Sequence, residues 1–188
     1  FVLGQQILIG EHTFGPDIVL KPADPHVFTI DEDGYRGYLR LKTAPGKDGM
    51  QAINHVPVES YLLGVVGAEM YSYWEPEALK AQAVAARTYC LFIKKRFERR
   101  RDWDVSRTQS SQMYNGLRAE NASVRRAVLE TAGQVLVCRY ENDGEVIFPT
   151  YYSSSCGGHT EKAEHVFGPY GRQVKALDGM VCPYCRDI

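Results

Sequence analysis

Two sets of residues in this sequence have types and spacings that could do chemistry. The first is a single carboxylate, Glu69, which ends an apolar run containing Tyr61, Leu62, Leu63, Val65 and Val66. It is flanked by Ala68 and Met70 and followed by Tyr71, Tyr73 and Trp74. Apolar surroundings disfavour an ionised carboxylate and can raise its pKa from about 4.3 toward ~6 to 7, the range a general acid needs near neutral pH. Read alone, a glutamate at the end of a helix is more often half of a salt bridge than a catalyst. The second set is Cys156-x2-His159 and Cys182-x2-Cys185, two chelating pairs separated by 22 residues. Three cysteines and a histidine form a common ligand set for structural zinc, with Gly157 and Gly158 permitting one tight turn and Pro183 starting the other. His165 is a substitute ligand. The same cysteines could instead form a disulfide, between Cys182 and Cys185 or from one of them to Cys156, and the sequence leaves the two readings even. A four-ligand site would be closed, so no cofactor is expected in catalysis. A redox role for Cys182-Pro183-Tyr184-Cys185 fits less well, because such a pair normally opens a helix and only three residues follow it here.

The rest of the composition narrows the setting. With 188 residues, 44% of them apolar and 24% charged, the chain has material for one domain spanning 1–188 with a substantial core. Its 22 basic and 23 acidic side chains leave a net charge of −1, so no global field points to nucleic acid, and none is expected as a partner. No stretch reaches the ~18 to 20 apolar residues of a transmembrane helix, and a chain starting at Phe1 is compatible with a signal or anchor removed upstream. Cys90 and Cys138 lie in apolar patterns and read as buried thiols.

The elements that must position these groups follow from periodicity. Gln6–Ile9, Val27–Ile30, Tyr35–Lys42 and Gln51–Asn54 read as short strands, with a hairpin loop over Ala44-Pro45-Gly46-Lys47-Asp48-Gly49. After Pro57, Tyr61, Leu62, Val65 and Val66 recur at helical spacing to near Met70. Pro76 suits a first helical turn, and Leu79, Ala83, Ala86, Cys90, Ile93 and Phe97 then mark a long amphipathic helix. Its side with Ala78, Ala81, Ala85 and Thr88 is small enough for another backbone to approach closely, which predicts a central position. Arg99-Arg100-Arg101 reads as a solvated carboxyl-terminal cap. A helix is predicted from Asn121 or Ser123 to Thr131, closed by Gly133. A hairpin over Gln134–Tyr140 and Glu145–Tyr152 turns at Asn142-Asp143-Gly144, and residues 153–188 read as irregular. The fold class expected is mixed α+β, with short amino-terminal strands, a central helical segment, a carboxyl-terminal hairpin with an irregular tail, and a cleft between the halves.

Val58-Glu59-Ser60-Tyr61-Leu62-Leu63-Gly64-Val65-Val66-Gly67-Ala68-Glu69-Met70, followed by Glu77-Ala78-Leu79-Lys80-Ala81-Gln82-Ala83-Val84-Ala85-Ala86-Arg87-Thr88-Tyr89, closely resembles the signature of the stage II sporulation protein D family. Two later blocks resemble the same family. These are Ser111-Gln112-Met113-Tyr114 with Val124 to Gly133, and Tyr151-Tyr152-Ser153-Ser154-Ser155-Cys156-Gly157-Gly158-His159-Thr160. The resemblance covers about residues 35–168 in order, and leaves 169–188 as a tail held by a metal or a disulfide.

The resemblance implies a lytic transglycosylase acting on peptidoglycan glycan strands outside the cytoplasmic membrane, often as an anchored protein, with Glu69 as the catalytic group. In such a reaction one carboxyl group protonates the leaving oxygen, and the sugar's own 6-hydroxyl closes a 1,6-anhydro ring. Hydrolysis by the usual route needs a second carboxylate at ~5 to 5.5 Å or ~6.5 to 9.5 Å. Glu59, Glu75 and Glu77 are near in sequence, but none sits in a comparably apolar setting, so a single-acid route is favoured over a two-carboxylate muramidase. The resemblance also places Lys80 and Arg87, seven residues apart, on a wall of the cleft as cations for sugar substituents or for the ionised glutamate. Gln112, Tyr114, Tyr151, Tyr152 and Ser153 become substrate-binding candidates, since amides and aromatic faces suit sugar rims and faces. The alternative is a non-catalytic peptidoglycan-binding module that stimulates a cell-wall amidase.

Overall fold

The structure, a computed structural model, describes residues 2–3, 5–23, 26–44, 49–98, 100–140, 144–168 and 174–185. The amino-terminal part consists of short antiparallel strands, as the frequent Gly, Pro and Asp residues dictate. Strands β1 (Val2–Leu3), β2 (Gln6–Ile9) and β3 (His12–Phe14) form one sheet in that order. Strand β4 (Asp17–Leu20) pairs with β7 (Tyr38–Thr43), which pairs with β8 (Met50–His55), while β5 (Val27–Ile30) and β6 (Asp33–Arg36) form a separate hairpin. Strands β3 and β4 carry no clear hydrophobic alternation and are mostly exposed, which is why periodicity does not reveal them. The single strand expected over Tyr35–Lys42 is two strands, broken at Gly37. That residue has φ +94°, and a Cβ there would meet the His55 carbonyl oxygen at 2.0 Å. Ile7, Leu39 and Leu41 form a small core under these sheets. Of the loop expected over residues 44–49, residues 45–48 lie outside the described residues; Ala44 N–H donates to the Gly49 carbonyl at 3.0 Å.

The main core is helical. Helix α1 (Val58–Glu69) starts immediately after Pro57 and α2 (Pro76–Phe97) starts on its proline, where a missing N–H costs nothing. Leu62, Val65, Val66, Leu79, Ala83 and Ala86 are essentially inaccessible to solvent, and burying a Leu or Val side chain contributes about 1.5 to 3 kcal/mol. Helix α3 (Ala122–Glu130) is capped by Asn121, whose Oδ1 accepts from Val124 N–H at 3.0 Å, as its residue type predicts. The small side of α2 is approached by other chain segments: Thr150 Oγ1 donates to the Ala85 carbonyl at 2.7 Å, and Leu136 N–H donates to Thr88 Oγ1 at 2.9 Å. The long helix is therefore central, and the architecture is mixed α+β.

Strands β9 (Val137–Tyr140) and β10 (Gly144–Ile147) form the later hairpin; Asn142 and Asp143 of its turn lie outside the described residues. Beyond it the chain is less irregular than its sequence suggests. Helix α4 (Ala163–Phe167) is short, and His159 pairs antiparallel with Val181. Arg101 departs from the expected solvated cap. Its guanidinium lies 4.0 Å from the Phe97 ring centre and 3.8 Å from that of Trp103. Arg99 lies outside the described residues.

Candidate functional site

Glu69 is the last residue of α1, and its position depends on what crosses that helix. Gly64 and Gly67 lie under the segment from Tyr114 to Ala119. A Cβ on Gly64 would stand 2.5 Å from the Tyr114 ring, and one on Gly67 would stand 2.0 Å from the Ala119 carbonyl oxygen. These two glycines let the segment lie directly on the helix, and Asn115 N–H donates to the Gly64 carbonyl at 3.2 Å. The crossing delivers Met113 to the end of α1, where its main-chain N–H donates to Glu69 Oε1 at 2.8 Å. Glu69 is half-buried, with one carboxylate oxygen held in this way.

Gln112 organises the interior side of this corner. It is 1% exposed, accepts from the Tyr61 hydroxyl at 3.2 Å, and donates to the Ala86 carbonyl at 3.2 Å and to the Tyr152 hydroxyl at 3.1 Å. The Tyr152 oxygen accepts that bond, so its own hydrogen is available to a further acceptor. Burial holds the Tyr152 phenol above its ordinary pKa, and the nearby Glu69 carboxylate adds to the shift; the same two causes act on Tyr61. Glu69, Met113, Gln112, Tyr152 and Tyr61 thus form one connected corner drawn from three separate stretches of chain.

Several residues expected to line the site are placed elsewhere. Arg87, expected on a cleft wall, is a core residue with 1% of its side chain exposed. Its Nε and Nη2 bind Glu59 in a bidentate pair at 2.9 and 2.7 Å, and Nη1 donates to the Gln134 carbonyl at 3.1 Å. Glu59 lies at the opposite end of α1 from Glu69, ten residues and so ~15 Å away along the axis. The shared face predicted for Lys80 and Arg87 therefore meets α1 and α3, not the glutamate. Lys80 ion-pairs with Glu77 at 2.8 Å and Glu130 at 2.7 Å, tying α2 to α3, and Glu130 is drawn down to about 2 by its hydrogen bonds to Lys80 and Arg126. Tyr114, expected to contact ligand, is buried under Gly64; its hydroxyl accepts from Asn54 at 3.0 Å, and burial pushes its phenol up to about 12. Tyr151 stacks on Phe167 at 4.0 Å between ring centres and tilts against Tyr89 at 6.0 Å. Ser153 is exposed beyond it, with its hydroxyl 3.4 Å from the Ser155 carbonyl.

The aromatic residues after Glu69 are also placed differently from expectation. Tyr71, Tyr73 and Trp74 are exposed by 63%, 78% and 43%, with Tyr71 stacked on Tyr73 at 5.3 Å and edge-on to Trp74 at 5.8 Å. They form an outward-facing aromatic shelf beside the glutamate rather than a dry wall around it. An opening of about 510 Å³ lined by Arg107, Thr108, Gln109, Ser110, Met113 and Asn115 adjoins the Met113–Glu69 contact. A larger cavity of about 800 Å³ lies between the strands and the helices, with Phe28, Tyr35, Ile53 and Cys90 in its walls and Glu69 outside them. The half-to-half cleft and the glutamate are therefore separate features. Sequence reasoning missed the Met113 N–H, since a main-chain donor has no side-chain signature.

At the other candidate cluster, the thiols of Cys156, Cys182 and Cys185 converge, with their sulfurs all within 4.8 Å of one another. All three are free and half-buried. His159, the expected fourth ligand, is outside this group: its imidazole lies against Gly179, with Cε1 3.3 Å from where a side chain there would begin. His165, the substitute, pairs with Glu161 at 2.9 Å. Cys90 is buried in the helical core, its thiol pushed up to about 12 by that burial, and Cys138 is half-buried in β9.

The chain is similar to known proteins over most of its length. Residues 46–138 match the family described as Stage II sporulation protein. An uncharacterised protein of Brachyspira hyodysenteriae is 42% identical over 159 residues, 85% of this chain and 40% of the relative. The Stage II sporulation protein D of Bacillus subtilis is 32% identical over 163 residues, 75% of this chain and 46% of the relative. The amidase enhancer of the same organism is 33% identical over 158 residues, 82% of this chain and 21% of the relative. The chain spans less than half the length of each of these relatives. The family match takes in α1 with Glu69, α2, and the segment that delivers Met113 to the glutamate, so the chain belongs to the stage II sporulation protein D family.

Proposed function

We propose that this protein is a peptidoglycan lytic transglycosylase that cleaves glycan strands outside the cytoplasmic membrane, with Glu69 as its acid and base. The observation that carries the reading is the Glu69 corner itself: a carboxylate at a helix end, fixed by the Met113 N–H through one oxygen, beside an exposed shelf of three aromatic rings. Aromatic faces bind the apolar faces of sugar rings, and such a shelf would run a glycan strand past the glutamate.

The proton balance needs one carboxyl group. Protonated Glu69 donates to the glycosidic oxygen as the bond from the MurNAc anomeric carbon breaks, releasing the GlcNAc hydroxyl. The resulting carboxylate takes the proton of the MurNAc 6-hydroxyl, whose oxygen bonds to the anomeric carbon and closes the 1,6-anhydro ring. Glu69 ends protonated, and no water is consumed. With Oε1 held by Met113, the proton would be carried on Oε2. The acids nearest in sequence support the single-acid route. Glu59 is committed to Arg87 at the far end of α1, and Glu77 is exposed and paired with Lys80. Glu75 is exposed ahead of α2. The Tyr152 hydroxyl is a ready donor to a bound sugar or to the carboxylate.

The direct test is digestion of purified glycan strands, with and without stem peptides, by wild type and Glu69→Gln, with products identified by mass spectrometry. Anhydro-muramyl ends made by wild type and absent with the variant are expected. Reducing ends in their place would mean hydrolysis. The similarity to an amidase enhancer favours a second reading, a glycan-gripping module that stimulates a cell-wall amidase. Cleavage by neither protein, with glycan binding retained, is its signature. Among the described residues no helix is long and apolar enough to cross a membrane.

A further inference from the structure

We infer that Cys156, Cys182 and Cys185 bind one zinc ion through three thiolates and that this ion fastens the carboxyl-terminal segment to the loop following Tyr152. The cluster is assembled by a backbone scaffold independent of the sulfurs. His159 pairs antiparallel with Val181, Cys182 N–H donates to the Gly158 carbonyl at 2.9 Å, and Thr160 N–H donates to the Met180 carbonyl at 2.9 Å. Gly157 and Gly158 have φ of +62° and +96°, and they turn Cys156 back toward this ladder. His159 N–H closes that turn on the Cys156 carbonyl at 3.3 Å.

The spacing of the sulfurs favours a metal over a disulfide. Tetrahedral zinc with Zn–S bonds of about 2.3 Å holds its sulfurs ~3.8 Å apart, whereas a disulfide requires contact at ~2.05 Å between two sulfurs only. Three free thiols all within 4.8 Å fit a shared ion, and any one disulfide would strand the third cysteine in the cluster. A soft d10 cation matches thiolate donors, and each thiol releases its proton to solvent as its sulfur binds. The trio supplies three of four positions and leaves the fourth to a ligand from outside it. The ion would lock residues 174–185 against the 153–160 loop, which leads directly from Tyr151 and Tyr152.

The test does not involve glycan cleavage, so it stands or falls apart from the reading of Glu69. Protein purified without reductant or chelator is assayed for zinc by elemental analysis and for free thiols by denaturing titration. Wild type and Cys138→Ser, which lies outside the cluster, are expected to carry about one zinc per chain, with every remaining cysteine titrating as a free thiol. Cys156→Ser and Cys182→Ser are expected to bind zinc at least ~10-fold more weakly while keeping the helical circular dichroism of the core. Stripping zinc from wild type should speed proteolysis within the carboxyl-terminal segment several-fold, and restoring zinc should reverse it. A disulfide within the trio without zinc, or zinc bound by Cys182→Ser as tightly as by wild type, would overturn the inference.

Discussion

The two ends of α1 carry the two informative glutamates of this protein, in opposite states. At the amino end Glu59 is locked to a buried arginine, with Arg87 fully inside the core and all three of its guanidinium nitrogens committed. At the carboxyl end Glu69 is held through one oxygen by a main-chain donor, with aromatic rings turned to solvent beside it. The contrast separates a carboxylate committed to the fold from one left open at a helix end. A carboxylate paired with a buried guanidinium cannot release its partner without leaving a charge in the core, whereas one held by a single N–H through one oxygen carries no such commitment. Gly64 and Gly67, between the two ends, let the Tyr114 to Ala119 segment bring Met113 to the open end.

The comparison breaks most sharply at Glu69. Glu69→Gln should reduce anhydro-product formation by ~10² to 10⁴, the usual contribution of general acid–base catalysis, with the thermal midpoint almost unchanged. A glutamate that were only structural would show the reverse. At the opposite end, Arg87→Ala should destabilise the fold by about 3 to 5 kcal/mol in denaturant titrations, because it leaves Glu59 unpaired beside the core. A double change, Arg87→Met with Glu59→Leu, should recover most of that loss; failure to recover would mean that the arginine's bonds to main-chain carbonyls, such as that of Gln134, outweigh the ion pair.

Between the ends, Gly67→Ala sharpens the account of the crossing. In an open helix this change stabilises by up to ~1 kcal/mol, but here the new methyl would meet the Ala119 carbonyl oxygen at 2.0 Å. A net loss of about 1 to 3 kcal/mol is expected from urea unfolding. Next in size, Tyr73→Ala and Trp74→Ala should each weaken binding to glycan strands roughly three- to tenfold in a sedimentation assay, at near-constant stability, since both rings are exposed. The smallest effect is assigned to Lys80→Ala. Its ion pairs are at the surface, so at most ~1 kcal/mol of stability and no change in glycan binding are expected; a clear binding defect would restore the cleft-wall role.

The main elements were legible in the sequence because each carries its own local signal. Pro57 and Pro76 mark helix starts, Asn121 caps α3, and the apolar spacing of α2 predicts its buried face. The small side of α2 was legible too, since Ala85 and Thr88 have no bulk to exclude another backbone. Strands β3 and β4 escaped because their exposed residues alternate only weakly, and β6 and β7 read as one strand because only the close approach of the His55 carbonyl shows why Gly37 must break them.

At the site, residue type marked the candidates, the family resemblance singled out Glu69 among the acids, and tertiary structure decided the partners. Glu69 stood out by its setting, and the three clustered cysteines by their spacing, because both signals lie within short stretches of chain. The fate of Arg87, the burial of Gln112 and Tyr114, the outward turn of Tyr71, Tyr73 and Trp74, and the exclusion of His159 from the thiol trio all depend on contacts between distant segments. A polar side chain on a helix reads the same in sequence whether it meets water or a buried carboxylate. Which of these it meets is set by how helices cross, and here that crossing rests on two glycines that reveal their purpose only when the segment above them is in place.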